Sequence, residues 1–78
     1  MSAMIKIYKS KDENGLEVQH VIYRVGASYQ VFRWDEATDG SRLVETFEFD
    51  DSNQKDRLAA LAMAKGNAKS RSDNIELD

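Results

Sequence analysis

Cysteine and proline are both absent from this chain, histidine and tryptophan occur once each, and the four glycines are scattered at positions 15, 26, 40 and 66. Each shortage excludes something. Without cysteine there is neither a disulfide staple nor a thiolate metal site. With His20 alone, no His/His metal pair can form, and a nucleophile triad needs some other base to complete it. Dispersed glycines build no phosphate-cradling loop. No proline, repeat or low-complexity stretch marks a linker between domains. No stretch of about 18 apolar residues occurs, and the N-terminus lacks an apolar run of signal length, so a cytoplasmic protein is expected.

What remains is ordinary globular material. An apolar fraction of 41% and a charged fraction of 32% are too apolar for a disordered chain. A chain of 78 residues has room for one core, burying about 60–65% of the surface it exposes when unfolded. The net charge of −3 hides a mosaic. Residues 35–51 carry Asp35, Glu36, Asp39, Glu45, Glu48, Asp50 and Asp51 against Arg42 alone, whereas 52–71 carry Lys55, Arg57, Lys65, Lys69 and Arg71 against Asp56. An acidic block of that kind is not the profile of a nucleic-acid binder.

Four strands follow from the periodicity. Ala3–Lys9 alternates around Ile5 and Ile7, and Asn14-Gly15 signals a type I′ hairpin turn. The second strand begins at Leu16 and changes apolar parity near His20, which predicts a β-bulge there. After a turn at Gly26-Ala27-Ser28, Tyr29–Trp34 is apolar on both faces, with Tyr29 and Val31 opposite Phe32 and Trp34. Such a strand is either central or exposes an aromatic face. A polar loop over 35–41 closes at Asp39-Gly40, and Arg42–Phe49 places Leu43, Phe47 and Phe49 in one phase.

A helix follows. Asp51 with Gln54 has capping-box spacing and Ser52 is an equal candidate for the cap. Leu58, Leu61, Ala62 and Lys65 share one face, and the many alanines let the helix lie close on a sheet. Gly66 or Asn67 is expected to end it. The predicted architecture is α+β, a four-stranded antiparallel meander with one C-terminal helix on one face (β-β-β-β-α), forming one domain over residues 1–68 and followed by a flexible polar tail over 69–78. Four strands and one helix leave one sheet face uncovered, the natural seat of function or of a homodimer contact.

Candidate motifs weigh towards structure. Asp35, Asp39 and Gly40 match three positions of a calcium loop, but Ala37 and Thr46 stand where ligands are needed, so a hairpin loop is expected. Ser28, Ser41 and Ser52 lie in turns or caps and not at a nucleophile elbow. Glu45 and Glu48 on a short strand make a solvated face, with no cavity to raise a carboxyl pKa. Tyr23, Tyr29, Phe32, Trp34, Phe47 and Phe49 supply the core. If one face of the third strand is open, Phe32 with Trp34, or Tyr23 with Tyr29, becomes an aromatic patch rimmed by carboxylates, a composition that interface hot spots favour.

The segment from Val21 to Lys69, strands closing on Phe47-Glu48-Phe49 and then an Ala-rich helix, resembles in layout the arm-type DNA-binding domain of phage-type tyrosine integrases. It departs from that family because its fourth strand carries Glu45 and Glu48 where a DNA-entering sheet carries basic residues. A double-stranded-RNA-binding domain is similar in its strands and helix, but Gln54-Lys55-Asp56-Arg57 replaces a lysine cluster. In size, acidity and architecture the chain also looks like small phage-encoded inhibitors of host defence, including anti-CRISPR proteins.

These observations lead to an expected non-enzymatic protein-binding module, an inhibitor from a phage or mobile element, with no cofactor and no metal. Trp34, Asp35, Glu36, Asp39, Glu45 and Glu48 would meet a partner with a basic, nucleic-acid-binding surface. The alternative is a nucleic-acid-binding accessory domain using the basic helix residues Lys55, Arg57, Lys65, Lys69 and Arg71. An enzyme is disfavoured, since only His20 and surface carboxylates offer acid–base chemistry.

Overall fold

The strand alternation described above pairs consecutively. A computed structural model of the chain describes the backbone of residues 2–77 and the side chains of residues 2–76. It contains strands β1 (Ser2–Lys11), β2 (Glu17–Val25), β3 (Ser28–Asp35) and β4 (Gly40–Glu48), helix α1 (Gln54–Asp73) and a 3-10 turn (Ile75–Leu77). The strands form one antiparallel sheet in the order β1-β2-β3-β4, and α1 packs across it, touching all four strands. No helix among the described residues is long and apolar enough to cross a membrane.

The turns explain the register. At the first hairpin the Asp12 carboxylate accepts the N–H groups of Asn14 and Leu16, and Gly15 donates to the Asp12 carbonyl. Gly15 takes φ +79° while Asn14 does not take a positive φ, so this is a wider Asp-anchored turn and not the two-residue type I′ turn expected. Between β2 and β3, Gly26 alone takes a positive φ (+58°), the pattern of a type II′ turn with glycine at its first central position.

The expected bulge at His20 is absent. β2 pairs continuously with β3 from Val18 to Val25, and the irregularities fall instead in β1, between Met4 and Lys6, and in the β3/β4 pairing at Val31/Phe32. The parity change in β2 has another cause: Val18, His20 and Ile22 face the helix while Val21, Tyr23 and Val25 face away, so the strand is apolar on both sides. In β4, Glu45 pairs with Val31 and Leu43 with Phe32, which leaves Val44 as the extra residue. Leu43 and Phe47 therefore point to opposite faces, against the single phase expected.

Helix α1 is capped one residue beyond Ser52 and two beyond Asp51, the caps expected. Asn53 is the N-cap, its side chain accepting from the Asp56 N–H, and the Asp56 carboxylate in turn accepts from the Asp50 N–H at 2.6 Å. The buried stripe is Ala60, Ala64, Ala68 and Ser72, and Leu58 is left 47% exposed. The helix lies on small residues because the bulk beneath it comes from Ile22, Tyr29 and Val31 of the sheet and from Phe49 just past β4. It also runs through Gly66-Asn67 to Asp73, so residues 69–73 are helix and not tail. Glycine inside a helix costs about 1 kcal/mol, which is offset here by burial of Ala68 and Ser72 and by the Arg71–Asn67 and Lys69–Asp73 side-chain contacts. The Leu77 side chain and residue 78, the end of the expected tail, lie outside the described residues.

Candidate protein interface on the open sheet face

Directly paired residues in an antiparallel sheet share a face, so the register sorts every strand residue to one side or the other. On the helix side lie Lys6, Tyr8, His20, Arg33, Arg42 and Glu45 with Val18, Ile22, Val31, Tyr29 and Phe47. On the open side, the row Ile7, Val21, Phe32, Leu43 runs across all four strands, bordered by Met4 and Tyr23 on one flank and by Trp34 on the other. The helix thus covers the face that holds the core, and the open face keeps an apolar band of its own.

Tyr23 and Phe32 meet edge to face at 5.6 Å between ring centroids and 86° between planes, the geometry that ring quadrupoles favour. Shallow hollows beside them are lined by Gln19, Val21, Trp34 and Ser41 and by Ser2 and Val25. The Trp34 indole N–H donates to the Asp39 carboxylate at 3.2 Å, and Asp39 holds φ +47° in the β3–β4 loop. Of the two aromatic pairs anticipated, Phe32 with Trp34 is open, joined by Tyr23. Tyr29 is instead buried beneath the helix, stacked obliquely on Phe49 at 5.1 Å.

The six residues expected to bind a partner do not form one surface. Trp34 and Glu48 belong to the open face, the latter through its pairing with Ser28 at the far corner. Glu36 and Asp39 lie in the β3–β4 loop, where the Glu36 carboxylate accepts the Glu17 N–H at 2.8 Å. Asp35 and Glu45 turn to the helix side. The Arg33 guanidinium donates twice to Asp35, at 3.0 Å to each oxygen, and Arg71 approaches Glu45 at 3.7 Å. The Arg33 hydrogen bonds hold the Asp35 carboxyl below the usual carboxylate range, helped by the charges of Arg33, Arg42 and His20 and opposed by partial burial. A block that is continuous in sequence is split because alternate strand residues face opposite ways.

His20 is wholly buried, with Tyr8 and Arg33 as its cross-strand neighbours. Among the described residues no three His, Asp or Glu side chains gather in a way that could hold a metal ion. The basic helix residues do not line up as a free strip: Lys69 pairs with Asp73 at 3.1 Å, Arg71 donates to Asn67 at 2.7 Å and Arg57 to the Tyr29 hydroxyl. Ile7, Leu43, Met4 and Val21 were not singled out from the sequence. The signal that would have found them is cross-strand pairing, which aligns apolar residues from four separate strands into one band.

No family model, curated protein or solved structure matches the chain.

Proposed function

We propose that this chain is a non-enzymatic, cytoplasmic protein-binding module whose working surface is the open sheet face centred on Tyr23 and Phe32. One observation carries the proposal: the single helix covers one face of the sheet, and an apolar band crossing all four strands remains on the other. Contiguous apolar surface rimmed by polar groups marks association sites in proteins of this size, and aromatic residues dominate the energetics of such sites. The acidic residues have a smaller part than their number suggests, because Asp35 and Glu45 are engaged by Arg33 and Arg71.

Site-specific photo-crosslinking tests this. A photoreactive phenylalanine at position 32 should yield protein adducts in cells of the source organism, and the same group at Lys65, on the exposed side of the helix, should not. Adducts formed from position 65 and none from position 32 would overturn the reading.

A further inference from the structure

The open face also carries a charge pattern that selects its occupant. Its strand charges are Lys9, Lys11, Glu17 and Glu48. Lys11 and Glu17 face each other at one end of β1 and β2, where the Glu17 carboxylate accepts from Gln19, and the Asp39 carboxylate is held at the Trp34 indole; Lys9 and Glu48 stand as opposite charges at diagonal corners. Lys9 is on edge strand β1 in the row of Gln19, Trp34 and Ser41, and Glu48 is on edge strand β4 in the row of Val25 and Ser28. Standard strand and residue spacings put them about 14 Å apart across the sheet and about 20 Å apart along it. The midpoint of that diagonal falls at the Tyr23–Phe32 pair.

We infer that the face is covered by a second copy of this chain, stacked sheet on sheet about a two-fold axis that passes through the Tyr23–Phe32 pair and sets Lys9 of each copy over Glu48 of the other. This rests on the reading of the open face as the working surface. A two-fold interface must complement itself. Opposite charges at diagonal corners of a largely apolar face meet that condition, because a two-fold perpendicular to the diagonal and lying between the sheets exchanges the two corners. A partner of one charge sign would satisfy one corner and be repelled at the other. The aromatic pair then meets its own copy at the centre, where hot spots concentrate, with both ion pairs at the rim. The same axis makes the strands of the two copies cross at roughly 70°, within the orthogonal class of sheet packing. At that crossing two ribbons of four strands overlap over a footprint on the order of 400 Å² per copy, about 800 Å² for the pair, the size of a weak, reversible interface.

Sedimentation equilibrium of the intact chain, with three variants, tests the inference. Wild type should form a dimer at concentrations of about 100 µM and above. Lys9→Glu and Glu48→Lys should each weaken the dimer about 10-fold at low salt, since each places like charges together twice. The double reversal, Lys9→Glu with Glu48→Lys, should restore wild-type affinity to within about 3-fold, which a generic charge effect would not do. Both residues are exposed, so thermal unfolding of dilute monomer should be unchanged. A chain that stays monomeric to about 1 mM overturns the inference, and so does a dimer indifferent to the single reversals. Crosslinks from position 32 to a different protein, with a monomer in sedimentation, would remove the second copy and leave the binding surface standing.

Discussion

Ala64 is fully buried where α1 lies on Ile22 and Val31, which makes it the most sensitive point of the helix–sheet contact. Replacing it by leucine adds three carbon atoms where the backbones approach through alanine alone. Overpacking of this kind costs about 1–3 kcal/mol. Leucine is nearly as good a helix former as alanine, so intrinsic propensity takes little from that figure. The whole domain has a stability on the order of 4–12 kcal/mol for its length, and a domain this small loses about 4–8 °C in Tm per kcal/mol. Ala64→Leu should therefore lower Tm by at least about 4 °C, and Ala62→Leu, on the exposed side of the same helix, should leave it within about 2 °C. Thermal unfolding followed by circular dichroism at one low protein concentration compares the two. Equal Tm values, or a larger loss at Ala62, would show that the helix rests on the sheet by its leucine face, and the packing described above would be refuted.

Other expectations follow from separate parts of the molecule. Tyr29→Ala, in the core against Phe49, should cost about 3–5 kcal/mol and can unfold the domain, whereas Trp34→Ala on the open face should cost less than half as much in urea denaturation. Asp35→Asn should destabilise by about 1–2 kcal/mol at pH 7. The Arg33 hydrogen bonds hold the Asp35 carboxyl below the ordinary aspartate range, so its contribution is present above that range and is lost as pH falls through the lower folded-state value. Urea midpoints of wild type and Asp35→Asn should converge in acid, and a constant difference from pH 7 down to pH 2 would dismiss the Arg33 pairing as its source. Gly66→Ala, where an added Cβ meets nothing, should stabilise by about 0.5–1 kcal/mol. Gly26→Ala, at φ +58°, should destabilise by about 1 kcal/mol, and both show directly in Tm.

Local chemistry determined the architecture of this protein. Alternation of side chains along a strand, turn residues near Gly15, Gly26 and Gly40, and an Ala-rich run after Phe49 are short-range signals, and they specify four strands and one helix in order. The helix start was legible to within a residue or two, because Asp51, Ser52 and Asn53 are all competent caps and their competition is settled by which backbone N–H each can reach. The helix end was not legible. Gly66-Asn67 is a stop signal in isolation, and only contact of Ala68 and Ser72 with the sheet outweighs it. Tertiary structure also decided which side of the sheet is open. β2 and β3 are apolar on both faces, so their own periodicity gives no preference, and the bulge displacing Val44 flips β4 where no residue type announces it. The six candidate residues were neighbours along the chain, but a strand sends adjacent side chains to opposite faces. Asp35 and Glu45 turned to the helix side, to Arg33 and Arg71, while Phe32, Tyr23 and Trp34 came together on the other. That assembly depends on pairing between strands up to several turns apart, a long-range relation that no window of sequence contains.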